Sequence, residues 1–338
     1  MITWILALAL ASPPKQLVTG EDFSCALYSD GHIECWGNNE DGQAGLPKAT
    51  PRAPKPSRLT TGGATDLAAS AVTGCAVLQS GELQCWGQVA RASWGHGLEP
   101  TRITGTRNLA GVALGPGSRG CVRMRGGTVS CWEESGERMP VFKDIPKVTM
   151  AVQLAVGRKH ACALLQGGAV WCWGDDRRGQ LGQGKPGWPA SALPVPDLHD
   201  AISVSTGDDL TCAVRKTGKV LCWGPNDDGG LGLGHTEPAW GVQEVPGVRS
   251  ARQVVVGSGE VCARTVEGKV LCWGTDPCPR PSAPSRRLSP IDIGWNDVRL
   301  LSEGGHSDHR CAVVGSEIKC WGFNSHGQAL GTDRCVSP

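Results

Sequence analysis

Sixteen of the 338 residues are cysteine, and fourteen of them fall into seven pairs of one design. Cys25 and Cys35, Cys75 and Cys85, Cys121 and Cys131, Cys162 and Cys172, Cys212 and Cys222, and Cys262 and Cys272 are each ten residues apart. Cys311 and Cys320 are nine apart. In every pair the second Cys precedes a Trp. Thiols at a fixed spacing offer two chemistries, oxidation to a disulfide or thiolate ligation of zinc. Zinc sites favour cysteines separated by two to four residues, and the C-x₂-C spacing is absent, so the pairs read as disulfides. Each closes a short loop and contributes up to ~2–3 kcal/mol. Disulfides in this number belong outside the cytosol. Cys278 and Cys335 are left over, and an eighth bond between them is expected, tying the C-terminal tail to the sixth unit.

Other reactive side chains have blander readings. His306 and His309, with His326, offer a weak metal pattern that reads better as a solvated loop. The acidic stretches 38–42 and 226–229 lack the ligand spacing of a calcium loop and read as Asn/Asp turns. Arg280, Arg286 and Arg287 lie among prolines and read as an exposed linker. Trp94, Trp188 and Trp240 stand in loops, where an aromatic anchors a partner or packs under its own loop. Trp94 and His96, in an altered loop, together with Trp188 and Trp240, are the candidate partner-binding residues. No catalytic, metal or cofactor-binding residue is expected, because no nucleophile motif, phosphate loop or zinc signature occurs.

The cysteines require a particular element. If Cys25 and Cys35 face each other across antiparallel strands, Leu27 opposes Ile33 and a three-residue loop, Ser29-Asp30-Gly31, remains. The third loop position wants the left-handed region, which suits Gly. The same arithmetic puts Gly81, Gly127, Gly168, Gly218 and Gly268 there. The seventh hairpin, one residue shorter, leaves Gly315-Ser316, which suits a type II′ turn. A short apolar run precedes each hairpin and reads as a buried strand, Val254-Val255-Val256 being one. A Pro-flanked segment after each Trp reads as an outer edge strand.

First cysteines recur every 41 to 50 residues. Seven units of three or four strands at this period predict an all-β, seven-bladed β-propeller. The units run over about 16–60, 66–105, 109–146, 150–197, 200–246, 252–292 and 297–338. Only six outer segments are expected, since the chain stops 18 residues after Cys320. Residues 1–11 (MITWILALALA) are apolar and end in a small-x-small site, so they read as a signal peptide, leaving 12–338 as the propeller. The formal net charge of +1 shows no electrostatic footprint for nucleic acid.

The loop after Trp is WGNNEDGQAG in unit one, WGDDRRGQLG in four, WGPNDDGGLG in five and WGFNSHGQALG in seven. Units two, three and six have lost this form. With the preceding G-x-x-x-x-C-A-L and D-G turn, C-W-G-x-N-x-x-G-Q-L-G resembles the repeat of the regulator of chromosome condensation family over about residues 16–338. The resemblance implies a seven-bladed propeller. It does not bring over that family's nucleotide exchange, whose loops have no counterpart here; secreted bacterial relatives that grip a protein partner are nearer in kind.

The expectation is therefore a secreted, periplasmic or cell-surface binding scaffold, not an enzyme. It would be a monomer without cofactor or stable membrane insertion, taking a protein or cell-surface glycan on one propeller face. An extracellular glycan-active hydrolase or lyase is the alternative, since residues 29–36 faintly resemble the turn of sialidases. Those enzymes use a Tyr nucleophile, and Tyr28 sits beside a turn instead of on the axis. The altered loops of units two and three, side by side on one rim, are expected to differ in shape from units four and five.

Overall fold

The computed structural model describes residues 12–47, 49–59, 61–87, 100–117, 119–133, 141–187, 189, 191–278, 285–304 and 306–330, and the backbone of 335–336. Seven four-stranded antiparallel sheets follow one another, each with its strands in sequence order. The blades span 16–58, 64–102, 109–144, 151–194, 201–244, 251–292 and 298–336. Among the described residues there is no helix long and apolar enough to cross a membrane.

The hairpin register is the one the cysteines require, with Cys25 opposite Cys35 and Leu27 opposite Ile33. All seven clasps are oxidised. Cys25 is bonded to Cys35, Cys75 to Cys85, Cys121 to Cys131 and Cys162 to Cys172. Cys212 is bonded to Cys222, Cys262 to Cys272 and Cys311 to Cys320. Their Cα atoms are 4.0–4.1 Å apart.

The loop glycines have a second duty besides their positive φ. The carbonyls of Gly31, Gly81, Gly127, Gly168, Gly218 and Gly268 accept the first N–H of the next blade's inner strand, from Ala64, Leu109, Ala151, Ala201, Ala251 and Val298. A Cβ on Gly127 would stand 2.6 Å from the Met150 Cα, so the next blade could not approach. The seventh hairpin is one residue shorter, its clasp cysteines being nine apart. Gly315 has φ 60° while Ser316 is not among the positive-φ residues, as a type II′ turn requires.

Adjacent inner strands do not pair with one another, yet they are stitched. Gln16 holds the backbone of Leu67 through both its amide atoms, at 2.8 and 3.1 Å, and Gln253 holds Leu301 in the same way, at 3.0 and 3.0 Å. Asp66 accepts from Val112 N–H at 2.8 Å, and Gln153 from Val204 N–H at 3.1 Å. All four stitching residues stand nine positions before their clasp cysteine. Where first and last blades meet, backbone does the work: Thr19 N–H donates to Glu303 O at 2.8 Å and Glu303 N–H to Leu17 O at 2.9 Å.

Two expectations need correction. A seventh outer strand exists, Cys335–Val336, pairing with Glu317–Phe323, so every blade is built from one contiguous stretch and six was an undercount. It is two residues long, as are four other outer strands, which is why 18 residues suffice. Arg286 and Arg287 are not in a linker; they open a seven-residue outer strand, Arg286–Asp292. Prolines suit this edge because it lacks a further neighbour.

Candidate binding face

The clasp cysteines belong to the core and not to any surface site. Cys85, Cys172 and Cys222 are buried at 1%, 0% and 0% exposure, and so are Cys25, Cys35, Cys75, Cys121, Cys162, Cys212, Cys262, Cys272, Cys311 and Cys320. Cys131 alone among the clasps is partly exposed. Bonded and enclosed, these sulfurs hold the blades and offer neither a nucleophile nor a metal ligand. Binding chemistry must therefore come from the ends of the disc.

One end carries the hairpin turns, the other the loops after the inner strands and after each Trp. The loop end concentrates the side chains that were candidates for function. In the regular loops an Asn or Asp side chain folds the turn by accepting an N–H five residues on: Asn39 from Ala44, Asp176 from Leu181, Asn226 from Leu231 and Asn324 from Ala329. This satisfies loop backbone that would otherwise be buried without partners. The Asn/Asp-turn reading of stretches 38–42 and 226–229 agrees with these bonds.

The next loop residues fasten the neighbouring blade. The indole N–H of Trp86 donates to Gln43 O at 3.0 Å, Trp223 to Gln180 O at 2.9 Å, Trp273 to Gly230 O at 2.8 Å, and Trp36 to Gln328 O at 2.9 Å. The loop motif thus encodes an inter-blade latch: the loop of one blade supplies the acceptor and the Trp of the next the donor. Blade six has lost the motif. There Trp321 donates to the Glu260 carboxylate at 3.3 Å. Burial pushes Glu260 up to about 7, against the pull of Arg310 and Arg287.

His306, His309 and His326 do not converge. His309 is fully buried between Ser24 (2.7 Å) and Ser307 (3.0 Å), and burial drops it to about 3. His326 meets Ser325, and His306 meets Asp208 at 2.9 Å. Asp208 also takes Arg158 at 2.6 Å; burial alone would raise its carboxyl, but these two partners hold it below the ordinary range, and Asp208 in turn raises His306. One group of potential metal ligands is found among the described residues, Glu260 with Cys262 and Cys272, and those two sulfurs are bonded to each other. Tyr28 stacks on His32 at 4.2 Å and donates to Glu34 at 2.9 Å, at the turn end of the disc. Burial and Glu34 raise its phenol, the opposite of what a nucleophile needs.

Trp240 is the candidate anchor that the described residues include, and it is 51% exposed. It lines a groove with Arg177, Arg178, Pro225, Asp227 and Pro238. Its ring lies over Gly179, where a Cβ would touch it at 3.3 Å, so the glycine admits the indole. Arg178 reaches Asp209 at 3.3 Å and pairs with Asp227; Arg177 clasps Asp175 at 2.6 Å. The groove therefore has an aromatic floor and a charged, internally paired rim. Trp94, His96, Trp188 and Arg280 lie outside the described residues, as do most of the altered loops of units two and three. Cys278 is disulfide-bonded, while Cys335, its expected partner, has its side chain outside them.

Sequential four-stranded blades, clasped hairpins and loop-to-Trp latches define a repeat propeller. The chain carries regulator of chromosome condensation (RCC1) repeats: one model of that repeat matches residues 15–43, 151–180 and 201–229, and a second matches 167–214. A stretch of 173 residues is 28% identical to the human probable E3 ubiquitin-protein ligase HERC6; the match takes in 49% of this chain and 14% of that protein, so the chain spans a small part of its relative. Among solved structures, human WBSCR16 superposes with TM-score 0.76 at 18% identity, over 89% of this chain and 92% of that one. Prp20p of Saccharomyces cerevisiae, studied for binding to Gsp1p and histones, gives 0.56 at 17% over 95% and 74%. The ectodomain of the Arabidopsis thaliana receptor kinase ACR4 gives 0.58 at 21% over 94% and 98%. These likenesses establish the propeller fold.

Proposed function

We propose that this chain is an exported propeller scaffold that binds a protein partner on its loop end, through the groove between blades four and five. The observation that carries the reading is Trp240, a large aromatic left exposed over a glycine and flanked by prolines and two arginines. Exposed aromatic and Arg side chains at the centre of a concave surface are the usual energetic anchors of protein interfaces. Similar propellers bind proteins, Prp20p with Gsp1p and histones among them. Seven disulfides favour an oxidising compartment, in keeping with the signal-peptide reading of residues 1–11. At the described loop end the carboxylates of Asp208, Asp175 and Asp227 are engaged with arginines, which leaves these groups to shape a binding rim.

The test is affinity capture from the secreted fraction with oxidised wild-type protein and a Trp240→Ala/Arg178→Glu variant. A protein retained by the wild type and lost at least ten-fold from the variant supports the reading. Equal retention by both, or turnover of a glycan by the purified chain, sinks it.

A further inference from the structure

One clasp is less enclosed than the others. Side chains alternate between the faces of a blade, and the clasp face is capped by the Trp of the following blade. Trp86 packs with Cys25 and Cys35, Trp223 with Cys162 and Cys172, Trp273 with Cys212 and Cys222, and Trp321 with Cys262 and Cys272. These four indoles are at most 1% exposed, and each is latched by its N–H to the blade it caps. Trp173 is the cap of Cys121 and Cys131. It is only partly buried, and its indole N–H has no hydrogen bond among the described residues. Unit three, whose loop would supply the acceptor, reads WEESGERMP in place of the motif.

Under this unlatched cap a cleft of about 60 Å³ opens between blades three and four, with both sulfur-bearing residues, Cys121 and Cys131, on its wall. Cys131 is the clasp cysteine that escapes full burial. Its backbone lies inside the sheet, between Cys121 and Lys143, so its side chain is the part that meets the cleft. The charged wall residues are Arg119, Lys159 and Glu133. Arg119 pairs with Glu133 at 3.5 Å, while the exposed Lys159 has no ion pair among the described residues, which leaves the cleft with a net positive charge. His160, also on the wall, is kept neutral by burial, at about 4. A disulfide opens when a thiolate attacks one of its sulfurs, and cations beside it favour both the entering and the departing thiolate.

We propose that Cys121–Cys131 is a thiol-exchange site, opened in the folded protein by a small dithiol that attacks the Cys131 Sγ. The entering thiolate bonds to the Cys131 Sγ, the Sγ–Sγ bond breaks, and Cys121 departs as a thiolate. The second thiolate of the dithiol then displaces Cys131 and closes the reductant into a cyclic disulfide. The two protons that the dithiol gives up end on the two cysteines, so the clasp gains two electrons and the reductant loses two. The narrow cleft suits a small molecule better than the surface of a protein reductant. The other clasps, capped and latched, keep the ring closed while this one is open, and oxidation restores it.

The experiment is a short pulse of dithiothreitol on the native full chain at pH 8 and low salt, quenched with excess N-ethylmaleimide and read by peptide mapping. Cys121 and Cys131 are expected to take up label about ten-fold faster than any other clasp pair. That rate should not change in urea below the unfolding transition, which separates attack on the folded protein from attack after unfolding. Lys159→Glu, a change at an exposed position, should slow the labelling about five-fold at low salt and much less at high salt. Uniform reduction of all seven clasps, earlier opening of another clasp, a rate that climbs with urea, or labelling indifferent to Lys159→Glu at low salt would each overturn the proposal.

Discussion

The junction between blades four and five and the junction between blades six and seven solve one problem with opposite chemistry. At the first, the Gln180 carbonyl receives two donors, the Trp223 indole at 2.9 Å and the Thr211 hydroxyl at 3.0 Å. His160, two residues before its clasp cysteine, bonds Thr211 at 2.8 Å, and burial keeps it neutral, at about 4. At the second, the loop that would supply the carbonyl has changed. The residue two before the clasp is Glu260, which takes Trp321 directly and pairs with Arg287 at 3.2 Å. Arg310 stands where Thr211 stands in the other junction, fully buried, its guanidinium donating to Gly304 O at 2.9 Å. One junction is neutral and leans on a backbone carbonyl; the other is ionic and leans on a side chain. A repeat can therefore lose its motif when a neighbouring position supplies an acceptor, but the substitute commits the fold to a buried charge cluster.

That commitment gives the largest expected effect. Glu260→Ala leaves Arg310 buried with less compensation and Arg287, partly buried, with Asp276 alone, and removing one partner of such a cluster costs about 3–5 kcal/mol. Denaturant unfolding should show the loss, with Glu260→Gln milder because it preserves an acceptor for Trp321. A cost below ~1 kcal/mol for Glu260→Ala would mean that the ionic junction contributes no more than an ordinary surface pair.

The hairpins were legible because cysteine spacing, loop glycine and strand alternation all state the same register, and each is a local signal. The latches were half legible. The loop motif is plain in units one, four, five and seven, but its acceptor is a backbone carbonyl, which any residue possesses and no side chain advertises. The stitching residues Gln16, Asp66, Gln153 and Gln253 carry a signal that was available, a fixed offset of nine from the clasp cysteine. A single polar residue inside an apolar run hides it. Closure was illegible for a different reason: Thr19 and Glu303 meet through main-chain atoms 284 residues apart, where sequence offers no pattern.

Acidification should separate the two junction types. His160 and His309 titrate in the folded protein at about 4 and about 3, below the ordinary imidazole range near 6.5. Below pH 6.5 the unfolded chain takes protons that the folded chain refuses. Their contribution is complete above that pH and is lost as pH falls toward the folded values, by up to ~1.4 kcal/mol per pH unit for each histidine. Glu260 and Glu303 act in the other direction. Raised to about 7 from an ordinary 4.5, they favour the folded state fully below 4.5 and lose that contribution as pH rises to 7. Between pH 4.5 and 6.5 the two slopes oppose, and the wild type should show a flat stability maximum. A His160→Gln/His309→Gln variant should instead lose stability steadily with rising pH across that window. If variant and wild type give parallel curves, the histidines are not the neutral members of their junctions.

The smallest effect tests the neutral latch itself. Trp223→Phe removes the indole N–H from Gln180 O but leaves the Thr211 hydroxyl on the same carbonyl, so no acceptor is stranded. The expected loss is about 1 kcal/mol for the hydrogen bond, with an added part for the unfilled edge of the ring, since Trp223 is wholly buried. Trp321→Phe makes the same change at the ionic junction, where Glu260 keeps Arg287 but loses the donor on its other oxygen. A charge-bound donor is worth more than a neutral one, so Trp321→Phe should cost more than Trp223→Phe in matched denaturant titrations. If the order is reversed, the carbonyl latch is the stronger device, and blade six gave up stability when it lost its loop.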